Sequence, residues 1–133
     1  MDNKEILCTA LFVIDINRIL EIFSPKHEAV FGDHSTIEFK PNNLNDINVG
    51  EIYDIKILGR ATDEKGDALL VENIKSKNKF PHITLSCIKN LDPLYSNELL
   101  QKAFDNGLIE YFEKPILIKV VEGYSDGLNE FRA

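Results

Sequence analysis

Two of the three histidines in this 133-residue chain are followed by a threonine two positions later and by an aliphatic residue directly after that. The motifs are His34-Ser35-Thr36-Ile37 and His82-Ile83-Thr84-Leu85. Along an extended strand, residues i and i+2 project from the same face, so each motif presents an imidazole and a hydroxyl together. Ser35 and Ile83 then point the other way, and Ile37 and Leu85 can anchor each strand in a core. An imidazole titrates near neutral pH and can act as acid or base, while a threonine hydroxyl can donate to a phosphoryl oxygen. Two such pairs facing each other suit in-line cleavage of a phosphodiester: one ring takes a proton from the attacking oxygen and the other protonates the leaving oxygen. The scheme requires no metal and no cofactor.

The elements that must position these residues follow from local pattern. Ile6 to Ile14 is a nearly continuous apolar run and predicts a strand buried on both faces. Asp15 can cap a short helix carrying Ile16, Ile19, Leu20 and Phe23, which Ser24-Pro25 ends. Gly32-Asp33 predicts a turn into the His34–Phe39 strand, and Asn42 to Asn48 predicts a loop. Ile52 to Leu58 and Ala68 to Ile74 flank Asp63-Glu64-Lys65-Gly66-Asp67, a hairpin whose tip is expected to be exposed and mobile. A basic linker from Lys75 to Lys79 leads into the Pro81–Ile88 strand. Ser96 can cap a helix to about Asn106, with Gly107 ending it, and Pro115 to Val121 predicts a last strand. The order is that of an α+β fold, expected as one domain over residues 1–133.

Paired HxT strands with apolar flanks, separated by a hairpin, resemble the 2H phosphoesterase superfamily. The stretch PHITLS before YSNELL, with the early apolar strand and short length, is most similar to its RNA-repair-like branch. That branch includes the cyclic phosphodiesterase part of fungal tRNA ligases and the phage (anti-CBASS) nucleases that destroy cyclic oligonucleotide signals. The resemblance implies a bilobal fold with antiparallel sheets, two flanking helices and a central groove. It also implies hydrolysis of a 2',3'-cyclic phosphate, or of a cyclic nucleotide or oligonucleotide, with His34 and His82 catalytic and Thr36 and Thr84 holding phosphate. Which histidine is base and which is acid stays open at this point. The alternative is an inactive nucleotide- or RNA-end-binding module on the same fold.

Phe80, Tyr95 and Tyr124 flank motif or strand ends and are candidates for stacking a nucleobase, against ordinary packing for each. Glu122 could accept from a base edge, against an exposed carboxylate at a strand end. His27 has no threonine partner and reads as a surface residue. A metal set of His27, Asp33 and His34 lacks ligand spacing, and Cys87 falls on the face opposite His82.

The formal net charge of -7 disfavours duplex DNA and membrane surfaces and favours a small nucleotide or RNA-end substrate. Positive charge for the cleft would have to be gathered locally, from residues such as Lys40, Arg60, Lys79 or Lys89. Cys8 and Cys87 lie in apolar runs and read as reduced, buried thiols. With no secretory leader pattern and no bilayer-length apolar run, a cytoplasmic location is expected. The oligomeric state is left open.

Overall fold

Alternating apolar residues joined by short polar connections favour antiparallel pairing, and every ladder among the described residues is antiparallel. The computed structural model describes residues 6–132. Its elements are β1 (Cys8–Val13), α1 (Ile16–Ile22), β2 (Ala29–Val30), β3 (His34–Phe39), β4 (Ile52–Thr62) and β5 (Gly66–Val71). They continue with β6 (His82–Cys87), α2 (Tyr95–Asp105), β7 (Glu110–Ser125) and β8 (Glu130–Phe131). All the strands among the described residues belong to one sheet, in the order β2-β6-β5-β4-β7-β1-β3 with β8 paired to β7. The architecture is α+β, with a curled antiparallel sheet and two helices. No helix among the described residues is long and apolar enough to cross a membrane.

The curl follows from burial. Leu11, Val13, Ile37, Ile57, Leu69, Ile83, Leu85 and Val120 come from strands spread across the whole sheet, yet they form one core together with Ile19 and Phe23. A flat sheet could not gather them, so its concave face wraps around them, and α1 and the residue that follows it help fill the interior. On the opposite face α2 lays Leu99, Leu100 and Ala103 over Ala61, Ala68 and Leu70. A separate patch of Cys8, Ala10, Phe12 and Val121 covers that face near β1 and β7. The curl brings β3 alongside β6. The chain entering β3 ties the two together, with Phe31 N–H donating to Leu85 C=O at 2.9 Å and Gly32 N–H to Thr84 C=O at 2.9 Å.

Several local expectations meet their elements and others shift. The Asp15 side chain accepts from Arg18 N–H at 3.1 Å, as an N-cap does, and Gly107, at φ +65°, follows the end of α2. Ser96 is not the cap of that helix. The turn Asp92-Pro93-Leu94 puts the cap at Leu94, two residues earlier, and Ser96 is buried inside the first turn. The last strand is longer than its apolar stretch, running from Glu110 to Ser125 through Pro115. Pro115 is tolerated because the β4–β7 register jumps there, from Ile57 opposite Ile116 to Gly59 opposite Tyr111, so no ladder bond is demanded of it. The hairpin tip does not stand free: Tyr95 Oη donates to Asp63 Oδ2 at 2.5 Å, and Asp63 Oδ1 accepts from Gly66 N–H at 2.8 Å.

Candidate active site

Register decides which face each motif uses. On β3, His34 pairs with Phe12 and Thr36 with Ala10. On β6, His82 pairs with Leu70 and Thr84 with Ala68. Phe12, Ala10, Leu70 and Ala68 all belong to the face opposite the main core, so both imidazoles and both hydroxyls emerge on that face. Ile37, Ile83 and Leu85 turn inward and hold the two strands in the core, while Ser35 is buried and accepts from Asn73 Nδ2 at 3.0 Å. Where β3 and β6 come together, His34, Thr36, His82 and Thr84 line one cleft of about 420 Å³. A second hollow of about 460 Å³ opens beside Asn42, Asn43 and Asp46 and contains neither motif histidine.

The two imidazoles differ in what stands at Nδ1. His82 Nδ1 lies 2.7 Å from the Phe80 carbonyl, so it carries the proton, and the remaining nitrogen, Nε2, has a free lone pair in the neutral ring. Burial holds the His82 pKa below the ordinary histidine range, the carbonyl partly opposes this, and the nearby His34 adds to the lowering. His34 Nδ1 is 3.2 Å from Asp33 Oδ2, an ion-pair approach out of line with the ring N–H direction. The His34 side chain beside it holds the Asp33 carboxyl below its usual range, against burial, so an anion stands beside this imidazole. The two rings are therefore unequal: one is buried against a neutral carbonyl, and the other is more open and faces a carboxylate.

The Thr84 hydroxyl lies 2.8 Å from Ser96 Oγ at the start of α2, which fixes it at the cleft wall. Cys8 also lines the cleft, and its thiol is pushed up to about 11 by burial and by the Glu130 and Asp33 carboxylates, so it stays protonated. Burial likewise raises Cys87, which sits on the inward-facing side of β6.

The four candidate base-binding residues do not line this cleft, for specific reasons. Phe80 packs its ring against Phe104, 5.3 Å between centroids, while its carbonyl does the work of holding His82. Tyr95 is occupied by the β4–β5 hairpin. Tyr124 stacks on Phe131 of β8 at 4.7 Å. Glu122 is fully buried rather than exposed, and it accepts from Lys75 Nζ at 2.7 Å, Tyr53 Oη at 2.9 Å and Asn48 N–H at 2.7 Å. Burial raises its pKa, and these donors outweigh the burial and bring it below the ordinary value.

Of the cations expected to serve the cleft, Arg60 is committed to Asp67 at 2.9 Å and Lys79 bonds Gln101 at 3.0 Å. Lys89 is exposed in the turn beyond β6. Lys40 does not line the cleft either, although its Nζ stands 5.4 Å from the centroid of Phe39, which does. His27 is half-buried, and its Nε2 lies 2.9 Å from the Asp63 carbonyl, a structural contact. The cleft instead presents Phe31, Asp33, Phe39, Asn78, Asp92 and Asn97. Asp33 could have been found as the residue preceding a motif histidine, whereas the others carried no signal without knowledge of how the sheet curls. No protein-family model matches this chain, and a search of the curated proteins returns no match.

Proposed function

We propose that the cleft is the active site of a metal-independent phosphodiesterase of the 2H type that hydrolyses a cyclic or cyclic-ended nucleotide. On this reading the half of the curled sheet that ends in β3 and the half that ends in β6 are the two lobes of the 2H fold. The observation that carries the reading is the convergence of two motifs 48 positions apart (82 minus 34) on one face of one cleft. Two imidazoles with different surroundings also support divided roles. His82, neutral and with Nε2 free, is the base, and His34, backed by the Asp33 carboxylate, is the acid.

Water adds to phosphorus as its proton passes to His82 Nε2. The bond from phosphorus to a ribose oxygen breaks, and the His34 imidazolium returns a proton to that oxygen. Thr36 and Thr84 donate to the non-bridging oxygens, where charge grows in the transition state. Neither proton transfer calls for an ion or a redox partner.

The test is a panel of nucleoside 2',3'-cyclic phosphates, cyclic mononucleotides and cyclic oligonucleotides incubated with purified protein and a chelator. At least one should be consumed, and His34→Ala or His82→Ala should each lower turnover by about 10²–10⁴-fold. Turnover that appears only when metal is added, or that survives both substitutions, would refute the proposal. Retained binding without any turnover would favour the inactive binding module.

A further inference from the structure

The cleft carries features that acid–base chemistry does not use. Its rim is apolar on two sides: Leu7 and Phe39 near β1 and β3 are 37% and 49% exposed, and Leu94 at the start of α2 is 56% exposed. Large apolar side chains left in water around a hollow mark a surface that a ligand covers. Phe39 supplies a half-exposed ring in the cleft lining, with Lys40 Nζ 5.4 Å from its centroid, and such a ring can stack a base.

Beside Leu94, Asp92 accepts the Leu94 N–H at 2.9 Å through Oδ1. That turn holds the carboxylate at the cleft wall, and its second oxygen has no donor among the described residues. An anionic acceptor next to an apolar rim suits the edge of a base that carries an amino group. Uracil, which carries no amino group, would meet it with carbonyl oxygens flanking a single N–H.

Size and charge point the same way. About 420 Å³ is near the small end of ligand pockets, which span ~300–1,000 Å³. Among the described residues that line it there are two carboxylates, Asp33 and Asp92, and no lysine or arginine. Several phosphates in one ligand would be repelled there.

We infer that the cleft is a one-nucleotide site in which Phe39 stacks the nucleobase and Asp92 accepts from an exocyclic amino group, selecting amine-bearing bases over uracil. The inference rests on the phosphodiesterase reading of the same cleft and narrows its substrate to a single nucleotide carrying one phosphodiester.

The experiment measures kcat/KM for the 2',3'-cyclic phosphates of adenosine, cytidine, guanosine and uridine, with a cyclic dinucleotide and a cyclic trinucleotide alongside. At least one amine-bearing nucleoside should exceed uridine by about tenfold, the worth of one hydrogen bond to a charged group. Asp92→Asn keeps the oxygen that caps Leu94 but replaces the free acceptor with a donor, so it should erase that preference. Phe39→Ala should raise KM for all four in parallel. Equal kcat/KM across the four bases, or a cyclic oligonucleotide cleaved better than every mononucleotide, overturns the inference while leaving the phosphodiesterase in place. If wild-type protein turns over none of them, calorimetric titration with the same four compounds decides. An amine preference in Kd then keeps this site and removes the phosphodiesterase, and the lack of any preference removes both.

Discussion

At the scale of single residues, what distinguishes the two imidazoles is what stands behind each Nδ1. Burial and the neighbouring ring oppose protonation of His82, and the Phe80 carbonyl behind its Nδ1 only partly offsets them, whereas a carboxylate, Asp33, stands 3.2 Å from His34 Nδ1. A base must be deprotonated to work, so a lowered His82 pKa extends activity toward acid. The acidic limb of a kcat/KM profile should fall below about pH 6.5, the ordinary histidine value. A limb at or above that value would assign the base elsewhere. Glu122 teaches the converse lesson. A carboxylate at the end of an apolar run reads as solvated, but opposite Leu11 in the β1–β7 ladder it is sealed in and must be matched by Lys75, Tyr53 and Asn48.

At the scale of elements, the β4–β5 hairpin and α2 are built against each other, and together they back β6. A Cβ on Gly66 would lie 2.9 Å from the Tyr95 ring, a contact that real side chains essentially never make. Gly66→Ala should therefore destabilise the protein by about 1–3 kcal/mol, read from the urea midpoint, through overpacking of a rigid ring. Asp67 is the second joint of this unit. It is fully buried, it pairs with Arg60, and it accepts from Thr62 Oγ1, Ser86 Oγ and Lys26 N–H. Burial pushes its pKa up, and these donors together bring it below the ordinary value. Removing one partner of a buried pair strands the other, so Asp67→Ala should cost about 3–5 kcal/mol in the same measurement. The hairpin tip keeps Glu64 and Lys65 exposed as expected, while Asp63 at its start finds a partner 32 positions away on α2.

At the scale of the whole molecule, the ionisable groups with the strongest structural ties act on stability in one direction. Asp33, Asp63, Asp67 and Glu122 all have folded pKa values below their unfolded ones. The unfolded chain therefore binds more protons as pH falls through the carboxylate range near pH 4, and stability present above that range is lost below it. His82 has the same sign. The unfolded ring charges near pH 6.5 while the buried one resists, so stability already slips as pH drops below that value. The urea midpoint should decline from pH 7 toward pH 3 without a rise at intermediate pH. A midpoint that increased between pH 7 and pH 5 would show that His82 is not desolvated in the fold.

Residue order alone determined the α+β alternation, the strand character of both HxT segments, the inward-facing Ile37, Ile83 and Leu85, and the caps at Asp15 and Gly107. These depend on periods of 2 and 3.6 and on backbone preferences of single residues, which act over a few positions. Only the tertiary structure decided that one sheet curls until β3 lies alongside β6, that Asp33 backs His34, and that Phe39 and Asp92 share the cleft in place of Phe80, Tyr95, Tyr124 and Glu122. Those relations join residues up to 53 positions apart along the chain (92 minus 39), and they exist because a single apolar core had to be enclosed by strands from every part of it.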